Sequence, residues 1–96
     1  MKIPETVLVC GIPHKVSICK DHFDTDTHMG DIRYAECLIQ INDKMPFEMQ
    51  VSTLIHEMVH GILVGIGRND LTTDEAFVCS LANAINSGFE VRGING

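Results

Sequence analysis

The chain has 96 residues, with 13 Asp and Glu against 7 Lys and Arg, and a formal net charge of −6. That length makes one domain with one modest core, so residues 1–96 are read as a single α+β unit. The acidic balance, the lack of Trp and a single Tyr34 disfavour nucleic-acid binding, and the longest apolar stretch, Gly61 to Gly67, is far too short to span a bilayer.

Thr6 to Cys10 is apolar and β-branched and predicts a strand. The short apolar run Thr6 to Ile12 has neither a charged n-region of any length nor a small-residue cleavage site, so no signal peptide is expected and the protein is placed in the cytoplasm. Gly11-Ile12-Pro13 reads as a turn, and His14 to Lys20 alternates with Val16 and Ile18 on one face, so the two runs predict a hairpin. Asp21 to Asp31 is polar and acidic and reads as a loop. Its DTDTHMGD run departs from a calcium loop, with Gly displaced from the sixth position and Ala35 at the twelfth. Ile32 to Glu36 and Leu38 to Asn42 alternate again and predict one or two further strands, about four in all. Cys10, Cys19, Cys37 and Cys79 show no CxxC spacing and are expected as free, mostly buried small hydrophobes. A Cys10–Cys19 disulfide would require the two flanking strands to pair.

A helix is predicted from Pro46, suited to a first helical position, to about Val64, with Gly65 and Gly67 ending it. Arg68 to Leu71 reads as a connection. A second helix is predicted from Thr72 or Thr73 to about Ser87, with Gly88 as its stop and Phe77, Leu81 and Ile85 as its core face. Residues 91–96 carry two glycines and read as a frayed tail.

The first helix contains HEMVH, from His56 to His60. Positions four apart on a helix are nearly superposed, about 6 Å along the axis, so His56 and His60 can grip one metal ion. Glu57 is turned by roughly 100° and can stand beside the open position without being a ligand. These are the parts a zinc hydrolase needs to make hydroxide at neutral pH and to move its proton. The ordinary alternative is a solvated polar stripe. Against it, Leu54, Ile55, Met58 and Val59 make the helix apolar on most sides, and burying His, Glu and His without partners costs several kcal/mol.

Catalytic zinc usually has three protein ligands and one water. The extension HExxHxxGxxH fails, because Leu63 and Ile66 stand where its Gly and His belong. The next acidic residues are Asp74 and Glu75. Glu75 is favoured for its longer side chain, with Asp74 next, and Cys79, His14, His22 and His28 as outside candidates. Thr72-Thr73-Asp74-Glu75 also matches a capping box, which would engage Glu75 otherwise. Tyr34, His14, His22 and Arg68 are candidate oxyanion donors, with Tyr34 expected in sheet packing.

Together GDIRY, LIQIND, TLIHEMVHGIL and DEAFVCSLANAI resemble the minimal zincin-like metallopeptidases of phages and Gram-positive bacteria, stripped-down relatives of the ImmA/IrrE and SprT-like families. The resemblance covers roughly residues 5 to 88. It implies a small sheet, an active helix with zinc ligands His56 and His60 and general base Glu57, and a second helix supplying Glu75. It also implies a peptide or protein substrate, and a host-cytoplasm location if phage-encoded. In zincins the strand before the active helix can pair with substrate, a role that Leu38 to Asn42 would fill. Thermolysin-type enzymes place an Asp one turn after the ligand Glu, where it orients a ligand His; here that place is Cys79. Support for the histidines is therefore expected from a backbone carbonyl or Asn83. The competing expectation is a non-catalytic zinc-bound interaction module, or an enzyme completed by a partner or a dimer, since the second lobe of larger peptidases is missing.

Overall fold

The computed structural model describes residues 3–20 and 29–89. Four strands, β1 (Thr6–Val9), β2 (Ile12–Cys19), β3 (Gly30–Arg33) and β4 (Leu38–Asn42), precede three helices, α1 (Phe47–Gly65), α2 (Asn69–Thr72) and α3 (Glu75–Gly88). This is the expected α+β arrangement of a four-stranded sheet followed by helices.

The sheet order is β1-β2-β4-β3. β1 and β2 form an antiparallel hairpin, β2 and β4 run parallel, and β3 pairs antiparallel with β4. The hairpin turn is Cys10-Gly11, both with positive φ (51° and 77°), and Val9 faces Ile12. That is the tight turn whose twist matches its strands, so Ile12 and Pro13 belong to β2 rather than to a turn. Cys10 thus sits in the turn and Cys19 at the far end of β2, and both are free thiols. Within β2, His14 and Val16 are buried whereas Ile18, of the same parity, is exposed. Alternation sets the face of a side chain; what lies over that face decides its burial. β3 ends at Arg33 because Tyr34 to Cys37 turns back, with the Cys37 amide donating to the Tyr34 carbonyl at 3.2 Å. β4 is an interior strand, paired on both sides. It therefore has no free edge for a peptide, and the sheet edge on that side is β3.

α1 starts one residue later than expected, with Pro46 as the cap residue. Its end is built by Gly67 (φ 79°): the Gly67 amide donates to the Val64 carbonyl at 3.0 Å and the Arg68 amide to the Leu63 carbonyl at 2.8 Å. This is the Schellman pattern, which satisfies the last carbonyls of the helix. Gly61 lets α1 approach the sheet closely, since a Cβ there would lie 2.8 Å from Val9 Cγ1. One face of α1 packs Leu54 against Val7, Val9, Val16, Ile39, Ile41 and Met45. The other packs Ile55, Val59 and Leu63 against Val78 and Ala82 of α3.

The connection after α1 holds a short helix, α2, and α3 begins at Glu75 instead of Thr72 or Thr73. Asp74 is its N-cap, with the side chain accepting from the Phe77 amide at 3.1 Å. The core face of α3 is Val78, Ala82 and Ile85, whereas Phe77 and Leu81 are each 37% exposed. The surface a helix packs on decides which of its stripes is buried, and α3 turns Val78 and Ala82 toward Ile55, Val59 and Leu63 of α1. The predicted acidic loop, apart from its last residues, and the C-terminal tail lie outside the described residues. Among the described residues no helix is long and apolar enough to cross a membrane.

Candidate metal centre

His56 and His60 project from α1 toward the first turn of α3. Their Nε2 atoms lie 3.2 Å apart, and Glu75 brings Oε1 to 2.9 Å from His60 Nε2 and Oε2 to 3.2 Å from His56 Nε2. These three residues form a group able to hold a metal ion, with their candidate ligand atoms within 4.8 Å of one another. His60 is the more enclosed imidazole (side chain 13% exposed, against 24% for His56), and Glu75 is open to solvent at 63%.

The donor chemistry fits a cation. His60 Nδ1 lies 2.8 Å from Thr72 Oγ1, and His56 Nδ1 lies 3.8 Å from Cys79 Sγ. With the ring protons on these outer nitrogens, both Nε2 lone pairs and the Glu75 carboxylate converge on one point, a donor set that suits a metal ion. Burial lowers the pKa of His56, with Glu75 opposing and His60 reinforcing the shift. A neutral imidazole is the form a metal requires.

Glu57 is buried on the sheet-facing side of the pair. Burial, then the carboxylates of Asp31 and Glu75, push its pKa up to about 7. Asp31 comes from β3, a contribution the sequence reading did not foresee. Two clefts meet at the site. One, of about 440 Å³, runs beside His56 and Glu57 and carries the apolar side chains Met29, Met49 and Ala82. The other, of about 370 Å³, is bounded by Asp31 and Ile32 of β3 and by Tyr34.

The remaining candidates separate clearly. Asp74 is engaged as a helix cap, which settles the choice between neighbours in favour of Glu75 as the carboxylate at the histidines. Cys79 contacts the outer nitrogen of His56 and is not part of the converging set; it, and not Asn83, is the group behind His56. His14 is buried in β2, its Nδ1 2.9 Å from the Ile12 carbonyl. Arg68 pairs with Asp70 at 2.8 Å on the surface. His22 and His28 lie outside the described residues. Tyr34, expected in sheet packing, is instead exposed at the cleft. Thr72, expected as a helix cap, stands behind His60. The available signal was chemical: a ligand histidine needs a partner for its second nitrogen, and Thr72 and Thr73 are the nearest hydroxyls after the helix.

Fold and site define an α+β domain with a two-histidine, one-glutamate group that could bind a metal ion. Compared with family models, curated proteins and solved structures, the chain matches none.

Proposed function

We propose that this domain is a zinc-dependent metallopeptidase of the minimal zincin-like type, hydrolysing peptide bonds in a peptide or protein substrate. The observation that carries the reading is the convergence of His56, His60 and Glu75 from two helices, with buried Glu57 on the same cleft. Two imidazoles and one carboxylate suit zinc. When bound, the ion supplies a Lewis acid for the carbonyl and lowers the pKa of a water to about 7.

The chain's own residues do the rest. Glu57, held near pH 7 by burial and by Asp31 and Glu75, takes the proton of the attacking water and delivers it to the leaving amine. Thr53 and Leu54 anchor that turn of α1 in the core, which fixes the carboxylate. β3, the sheet edge at the cleft, is the strand an extended substrate joins by main-chain hydrogen bonds. Free cysteines fit a cytoplasmic setting.

A non-catalytic zinc module would need a closed set of four protein ligands. Among the described residues the group has three members, and the engagement of Cys79 with the outer nitrogen of His56 favours an open position. The test joins elemental mass spectrometry with digestion of a peptide library. About one zinc per chain is expected, with cleavage by the wild type and none by Glu57→Gln loaded with the same metal. Equal cleavage by both proteins refutes the general-base role; no bound zinc refutes the centre.

A further inference from the structure

The two clefts at the site differ in character. They share Gly30, His56, Glu57 and Glu75, so both open onto the candidate metal position and the buried carboxylate. The cleft of about 370 Å³ is bounded by Asp31, Tyr34 and His60. The cleft of about 440 Å³ is walled instead by Met29, where the chain enters β3, by Met49 in the first turn of α1, and by Ala82 of α3. Met29 and Met49 are 44% and 45% exposed, two large apolar side chains left to water where the cleft leads to polar groups. Ala82 belongs to the buried stripe of α3, and with only a methyl group it leaves space between α1 and α3 unfilled. A concave apolar wall leading to a few converging polar groups is the usual make-up of a site that takes a ligand side chain.

We propose that this apolar cleft is the side-chain pocket of the site, and that it takes one large apolar residue, leucine, methionine or phenylalanine, next to the bond that is cut. The inference rests on the proposed peptidase function and adds to it the class of substrate. His56, Glu57 and Glu75 border the cleft, so a side chain that fills it brings its own backbone to the metal position and to Glu57. Met29 directly precedes β3, the sheet edge that an extended peptide joins, and such pairing points alternate peptide side chains to the same face. Methionine is unbranched and polarisable, so two of them fit the wall to several apolar outlines instead of one. Alanine in the same place would leave that wall wet. An acidic residue is disfavoured twice, by losing its hydration on an apolar wall and by facing the Glu75 carboxylate.

The experiment uses the full chain loaded with zinc and short peptides that differ only in one central residue, leucine, alanine or lysine. The wild type is expected to cut beside the leucine with a kcat/KM at least about 10-fold above that for the alanine twin, since even one methylene in an apolar pocket is worth that much. Cys79 is exposed on the wall of the same cleft and supplies a readout that needs no turnover. In zinc-loaded Glu57→Gln the leucine peptide should slow alkylation of Cys79 by N-ethylmaleimide, while Cys10, in the β1–β2 turn, reacts as before. Met49→Glu should lower the leucine-to-alanine ratio about 10-fold, and Met49→Leu should keep it. Equal cleavage of the leucine and alanine peptides, a preference for lysine, or alkylation of Cys79 indifferent to the leucine peptide overturns the proposal and leaves the peptidase reading standing. Protection of Cys79 by the leucine peptide in a protein that cuts no peptide supports the pocket and refutes the peptidase reading.

Discussion

The two faces of α1 are held in different ways. Toward the sheet, Leu54 and its neighbours pack into a core drawn from three strands, with Val7, Ile39 and Ile41 fully buried. Toward α3, that helix contributes only Val78 and Ala82 to the buried cluster, while Phe77 and Leu81 stay partly exposed. The candidate metal group spans this second, thinner junction, with His56 and His60 on one side and Glu75 on the other. The sheet half holds together by burying apolar surface; the α3 half relies on fewer contacts and, under the proposed function, on a shared ion.

The largest effect is expected on the sheet side. Leu54→Ala should cost about 2–5 kcal/mol through lost burial and a residual cavity, read by thermal or denaturant unfolding. The loss should be similar with and without zinc; full rescue by zinc would break the contrast.

Metal removal should act on the other side. Zinc at a hundred to a thousand times its dissociation constant stabilises a binding-competent fold by about 3–4 kcal/mol. A chelator should therefore speed amide exchange in α3 well before β4 responds. Equal acceleration in both elements would show that the junction is no weaker than the core.

The next effect is electrostatic and belongs to the metal-free protein. Glu57 has a folded pKa of about 7 against an ordinary 4.5. Its neutral form is the one the fold accommodates, so its contribution is complete below pH 4.5 and is lost as pH rises through 7, to a limit of about 3 kcal/mol. His56, with a lowered pKa, acts in the opposite sense: its contribution is present above its ordinary value and is lost as pH falls. Subtracting the Glu57→Gln stability profile from that of the wild type isolates the carboxyl. A flat difference between pH 4.5 and 8 would contradict the burial and charge around it.

The smallest effect is expected at α3 itself. Val78→Ala removes two methyl groups from a fully buried site and should cost about 1.5 kcal/mol. It should also weaken zinc binding, because α3 carries Glu75. Unchanged zinc affinity would mean that Glu75 is held independently of the packing beneath it.

Much of the site was legible because it is local. Helical periodicity alone brings His56 and His60 together, and Glu75 stands early in the next helix. The glycines after Val64 marked where α1 ends, and the alternation of Leu38 to Asn42 marked β4. The errors share one origin, which is dependence on neighbours distant in sequence. Leu38 to Asn42 looked like the substrate edge until β2 was found paired with it in parallel. Phe77 and Leu81, spaced like a core face, stay partly exposed because α1 covers the neighbouring stripe of Val78 and Ala82 instead.

The sequence by itself determined the four strands, the two long helices, their order and the histidine pair, because those follow from backbone preferences and side-chain periods within a few residues. Only the tertiary structure decided which acidic neighbour faces the histidines, which strand is the edge at the cleft, and that Asp31, Tyr34 and Thr72 join the site. Those outcomes depend on strand order, on the covering of each face and on hydrogen-bond partners brought from other elements, none of which a local pattern encodes.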